Sequence, residues 1–76
     1  MYYAGLDVHK KTISVMIKDQ LGNVQEKTKI KSKRDDIIKW AQNAPSPLSV
    51  VLEATLFTGW IYDILIHYVD KVTVAN

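Results

Sequence analysis

Leu48-Ser49-Val50-Val51-Leu52, closing on Glu53, is the stretch on which the fold turns. A run this apolar and β-favouring, entered past Pro45 and Pro47 and ended by a carboxylate, predicts a strand buried on both faces, the pattern of a parallel sheet. A parallel strand needs a crossover to reach its partner. Immediately upstream, Ile37, Ile38, Trp40, Ala41 and Ala44 recur at helical spacing. Ser32 is placed to cap that helix, Asp35 and Asp36 favour its positive end, and the two prolines stop it after about Asn43.

Further upstream the period changes from helical to alternating. Tyr2 to His9 reads as a first strand, and Thr12 to Lys18 as a second, with Ile13, Val15 and Ile17 on one face and Thr12, Ser14, Met16 and Lys18 on the other. Lys10-Lys11 forms the hairpin between them. Asp19-Gln20-Leu21-Gly22-Asn23 is a second turn, with Gly22 and Asn23 both able to take a positive φ, and it leads into a third strand from Val24 to Ile30. Downstream of Glu53, Thr55 or Thr58 can cap a second helix whose Ile61, Ile64, Leu65 and Tyr68 cover the sheet, followed by a last strand, Lys71 to Ala75. The expected fold is α/β, a mixed sheet in the order β-β-β-α-β-α-β. A final parallel strand normally continues into further crossover helices, so the sequence is expected to be part of a longer protein.

The chain has 76 residues, 47% of them apolar and 24% charged, with a net charge of +2. That is one small domain, able to bury only about 60% of its unfolded surface. With no cysteine, thiol nucleophiles, zinc ribbons and disulfide staples are excluded. No basic region followed by an apolar stretch opens the chain, and Trp60 to Ile66 falls short of the roughly 20 residues that span a bilayer. A cytoplasmic protein without membrane contact is expected.

A right-handed β-α-β connection lays the strand ending at Glu53 beside the first strand, which brings Asp7 and Glu53 to the same carboxyl edge of the sheet. Two carboxylates on strands about 4.8 Å apart can share one ion. Hard oxygen ligands favour Mg²⁺ or Mn²⁺ and point to phosphoryl transfer on nucleic acid. The bland alternatives are an ion-paired Asp7 and a Glu53 that merely favours the following helix. His9 lies on the strand face of Asp7, either turned to the site or hydrogen-bonded at the surface. Lys27, Lys29 and Lys31 share one strand face and, with Lys10, Lys33 and Arg34, could contact phosphates; lysines there equally protect an edge strand. Trp40, Trp60, Tyr62 and Phe57 read as core or partner-facing rather than as stacking platforms. Ser14, Ser32, Ser46 and Ser49 have no base at a recognisable spacing.

Tyr2-Tyr3-Ala4-Gly5-Leu6-Asp7-Val8-His9-Lys10, with Leu52-Glu53-Ala54-Thr55 after one intervening helix, resembles the start of transposases of the insertion-sequence-110 family, relatives of the pilin-gene invertases. The resemblance covers essentially the whole chain. It implies a ribonuclease H-like, RuvC-like domain with a DEDD metal tetrad, in which Asp7 is the first D and Glu53 the E. It also implies that the two remaining aspartates lie beyond Asn76, that Asp63 and Asp70 come too early to be them, and that a separate domain supplies a serine nucleophile. DNA, an element-encoded guide RNA and a second copy of the chain are the implied partners. Leu56-Phe57-Thr58-Gly59 departs from the family, whose members commonly carry Gly directly after the Thr of Leu-Glu-Ala-Thr.

Two other classes compete. A non-catalytic nucleic-acid-binding or assembly module would use the same carboxylates structurally and expose sheet edges and apolar surface for association. An actin-like nucleotide-binding half also opens with a Gly-x-Asp hairpin, but it needs a glycine after the Asp to cradle phosphate, and Val8-His9-Lys10 has none.

Overall fold

The alternation in Thr12–Lys18 is realised residue by residue: Ile13, Val15 and Ile17 are buried, while Thr12, Ser14 and Met16 are half-buried and Lys18 is exposed. In this computed structural model, which describes residues 1–75, the elements are β1 (Tyr2–Val8), β2 (Thr12–Lys18), β3 (Val24–Lys31), α1 (Arg34–Asn43), β4 (Leu48–Glu53), α2 (Thr58–Leu65) and β5 (Lys71–Ala75). They build one five-stranded mixed sheet in the order β3-β2-β1-β4-β5. β2 runs antiparallel to both β1 and β3, whereas β4 is parallel to β1 and to β5.

That order explains why both helices cover the same face. The chain steps from β3 to β4 and from β4 to β5 in one direction across the sheet, and right-handed crossovers in one direction put their helices on one side. The core is therefore a single layer. Ala4 and Leu6 of β1, Ile13, Val15 and Ile17 of β2, and Leu48, Val50 and Leu52 of β4 pack against Ile37, Trp40 and Ala41 of α1 and Ile61, Ile64 and Leu65 of α2. Full burial of each large aliphatic side chain stabilises the fold by about 1.5–3 kcal/mol.

The expectation that β4 is buried on both faces is corrected: Val51 is 39% exposed, because no helix lies on the second face. Ser49 is buried on that face, a small side chain in register between Tyr3 and Lys71. Helix starts also differ from the sequence reading. Ser32 does not cap α1; its hydroxyl donates to the His9 carbonyl at 2.7 Å and its N–H to the Lys11 carbonyl at 2.9 Å, so it is tied to the β1–β2 turn and Lys33 occupies the cap position. Tyr68 lies past the end of α2 and is exposed, leaving Ile61, Ile64 and Leu65 as the covering stripe. In the β2–β3 turn only Gly22 takes a positive φ, 87°, and Asn23 does not. Asp19 replaces that conformation with hydrogen bonds, accepting from the Leu21 and Asn23 N–H groups, both at 2.9 Å. Among the described residues no helix is long and apolar enough to cross a membrane.

Candidate functional site

Four of the five strands run in one direction, so the carboxyl ends of β1, β3, β4 and β5 share one edge of the sheet with the β1–β2 turn and the starts of both helices. Ligands of open α/β sheets gather at this edge. Leu6 and Leu52 are the last register pair between β1 and β4, both turned to the core. One residue on, the alternation turns Asp7 and Glu53 to the open face, on neighbouring strands. Both are exposed, and together with Gly5, Leu6 and Val51 they line a depression of about 270 Å³. Gly5, in register with Val51, leaves the floor beside them clear: a Cβ there would meet nothing within 4 Å.

The position of Glu53 is set by backbone and threonine hydrogen bonds. Glu53 pairs with Ala75 of β5, and the next N–H, of Ala54, donates to the Ala75 carbonyl at 2.8 Å. The buried Thr58 hydroxyl donates to the Glu53 carbonyl at 2.8 Å and accepts from the Thr55 N–H at 2.6 Å. Its only proton is thereby committed, so in the 3.2 Å contact between the two hydroxyls Thr55 is the donor. Thr55 Oγ1 in turn accepts from the Phe57 N–H at 3.2 Å. Neither threonine is the α2 cap in the simple sense expected from the sequence, since Phe57 holds that position without a side-chain cap. They instead knot the turn that follows Glu53.

Asp7 is held from the other side. His9 Nε2 lies 3.1 Å from Asp7 Oδ2, with the two side chains 62% and 70% exposed. An ion pair this exposed is worth at most about 1 kcal/mol, and only when the imidazole is protonated. The basic residues fall on two sides of the carboxylates. Lys27, Lys29 and Lys31 pair with Met16, Ser14 and Thr12, and Ser14 pairs with Asp7, so the three lysines of β3 share the open face with the two carboxylates. Lys29 stands two strands from Asp7, a span of roughly 10 Å. Lys10 and Lys11 lie in the β1–β2 turn, and Lys33 and Arg34 follow Ser32 at the start of α1.

Other acidic residues are elsewhere. Asp63 is on α2, and Asp70 accepts from the Leu48 N–H at 2.7 Å, fastening the start of β4. Among the described residues no three His, Asp or Glu side chains form a group that could hold a metal ion. The chemistry of Asp7 and Glu53, two solvent-facing hard oxygen donors over a cleared floor, fits a divalent cation as two of its ligands, with water or a substrate phosphate completing the shell.

Sequence reasoning left one group at this edge open between two readings. Phe57 and Trp60, read as core or partner-facing, are 39% and 42% exposed there, and only Trp40 is buried. The signal lay in the phase of α2: Trp60 precedes the buried Ile61 and is turned about 100° away from it around the helix.

No protein-family model matches the chain, and no curated protein matches it in sequence.

Proposed function

We propose that this chain supplies the first two metal-binding carboxylates, Asp7 and Glu53, of a DNA strand-transfer enzyme of the insertion-sequence-110 transposase type, on a ribonuclease H-like, RuvC-like sheet. The observation that carries the reading is the placement of the pair: consecutive to the last β1–β4 register pair, exposed, and lining one depression at the carboxyl edge. The mixed sheet with element order β-β-β-α-β-α-β, read from the sequence periodicity, is compatible with it.

In this reading Asp7 and Glu53 hold Mg²⁺ or Mn²⁺, which when bound polarises a DNA phosphate and activates the attacking hydroxyl or water. His9 orients the Asp7 carboxylate, and the Thr55–Thr58 knot fixes the backbone from which Glu53 projects. Lys27, Lys29, Lys31, Lys10, Lys33 and Arg34 bring DNA, or a guide RNA, to that edge through phosphate contacts. Two protein ligands would bind such an ion weakly, with water or a substrate phosphate completing its shell; the two further aspartates that the family resemblance implies would tighten it.

The test is a Mn²⁺ titration of the ¹⁵N-labelled chain. Paramagnetic broadening is expected at Gly5–Val8 and Leu52–Ala54, reversed by Mg²⁺ and lost in Asp7→Asn with the fold retained. Broadening centred on Asp35 and Asp36, or none at concentrations that saturate ordinary weak carboxylate sites, overturns the reading.

A second reading, an assembly module, draws on the same open face of the sheet, away from its carboxyl edge. Tyr3 and Val51 are exposed side by side with Met16 where no helix lies, and a second copy of the chain could cover them. Sedimentation of the wild type against Val51→Lys decides it: a wild-type dimer that this substitution dissociates favours assembly through this face.

A further inference from the structure

A second cavity opens at the same edge, on the helix-covered side of the sheet. It has a volume of about 230 Å³, with Val8 and Ile61 as its apolar floor, Phe57 and Trp60 as its walls, and His9 and Lys10 at its rim. His9, which lines this cavity, lies 3.1 Å from Asp7 of the carboxylate depression, so one contact links the two. Resting on the reading of this edge as a nucleic-acid site, we propose that the cavity is a subsite for one unpaired nucleobase of a DNA single strand, stacked on Trp60 and Phe57, with Lys10 on the adjoining phosphate.

Three observations carry the assignment. First, the two aromatic side chains are left about two-fifths exposed although the buried Ile61 directly follows Trp60 and lies four residues after Phe57. A base offers them the flat apolar partner that the protein does not supply. Second, the charge matches. No acidic residue lines this cavity, Lys10 lines it, and Lys11, Lys33 and Arg34 follow its lining residues Lys10 and Ser32 in the chain. By contrast, the larger groove between β3 and α1, about 290 Å³, is lined by Glu26 and Asp36 against the one cation Lys39, and is less suited to a phosphate. Third, the rim is pre-built. Ser32 donates to both the His9 and Lys11 carbonyls, and the His9 N–H donates to the Thr12 carbonyl at 2.9 Å, so the turn carrying Lys10 is ordered before any ligand arrives.

The experiment follows the two tryptophan indole N–H signals by NMR. The labelled chain is titrated at low salt with a short single-stranded oligothymidine and with the same sugar-phosphate strand lacking bases. Oligothymidine is expected to shift the Trp60 indole and the Phe57 and Lys10 amides while leaving the Trp40 indole unmoved; the abasic strand leaves Trp60 in place and binds about 10-fold more weakly. Trp60→Leu weakens oligothymidine binding by about 10-fold, Trp60→Phe by no more than about threefold, and Lys10→Gln lowers the salt dependence by about one phosphate contact.

If both strands bind equally and Trp60→Leu changes nothing, the subsite is overturned while nucleic-acid binding stands. If neither strand binds at low salt, the nucleic-acid reading falls and takes the subsite with it. Because the abasic comparison is made on the wild-type chain, a Trp60→Leu variant that failed to fold would leave the test intact.

Discussion

The two faces of the sheet are built from the same strands and do different work. On the helix side, Ala4, Leu6, Ile13, Val15, Ile17, Leu48, Val50 and Leu52 are all buried. On the other, the same strands present Tyr3, Gly5, Asp7, Ser14, Met16, Val51 and Glu53, with Lys27, Lys29 and Lys31 from β3. The period of two along each strand separates a face that holds the fold from a face free to carry charge. A small domain has stability to spare on neither, and it concentrates its apolar burial on one side so that the carboxyl edge of the other can expose carboxylates without desolvating them.

Neighbouring residues on β4 give the sharpest way to break that comparison. Leu52→Ala, on the covered face, should cost about 2–5 kcal/mol, enough to unfold much of the population of so small a domain. Val51→Ala, one residue away on the open face, should cost about 0.5 kcal/mol. Urea unfolding monitored by circular dichroism reads both, and equal losses would mean that the second face is covered in solution. Thr58→Val tests the boundary between the faces. It keeps the shape but removes the hydroxyl that bridges the Glu53 carbonyl and the Thr55 N–H, and the expected loss is about 1–3 kcal/mol. The Glu53 and Ala54 amide shifts should move with it, whereas stability lost without those shifts would locate the effect in packing alone.

The smallest expected effect is at the opposite edge of the sheet. Hydrogen bonding from the Asn23 backbone N–H, helped by Leu21 and the Asn23 and Gln25 side chains, holds the Asp19 carboxyl below its ordinary value. A carboxyl more acidic folded than unfolded adds stability that is fully present above the unfolded-state value, about 3.9, and is lost as pH falls through the lower folded-state value. Asp19→Asn should therefore narrow the difference in urea midpoint between neutral pH and the region below about pH 4. An unchanged acid limb would remove Asp19 from the account.

Much of the fold is legible in the residues themselves. The alternation in Thr12–Lys18 and the helical stripe Ile37-Trp40-Ala41 read correctly, and Leu48–Leu52 read correctly as a strand though not as one buried on both faces, because hydrophobic period is a local property that the core then enforces. The parallel pairing of β1 with β4 also followed from the handedness of one crossover, which sets Asp7 beside Glu53 in order along the edge. Capping read less well. Ser32, Thr55 and Thr58 are all plausible caps by residue type, yet each hydroxyl went to a partner made available only by the turn it sits in.

What the sequence determined by itself was the set of elements, their order and the phase of each, since side-chain period and the hand of the crossover are properties of the local chain. Only the tertiary structure decided that both helices share one side, that Val51 is left uncovered, and that Ser32 fastens the Lys10 turn over an aromatic cavity beside Asp7. Those outcomes depend on contacts between segments far apart in the chain, where a hydroxyl or an aromatic ring meets whichever partner the completed packing brings to it.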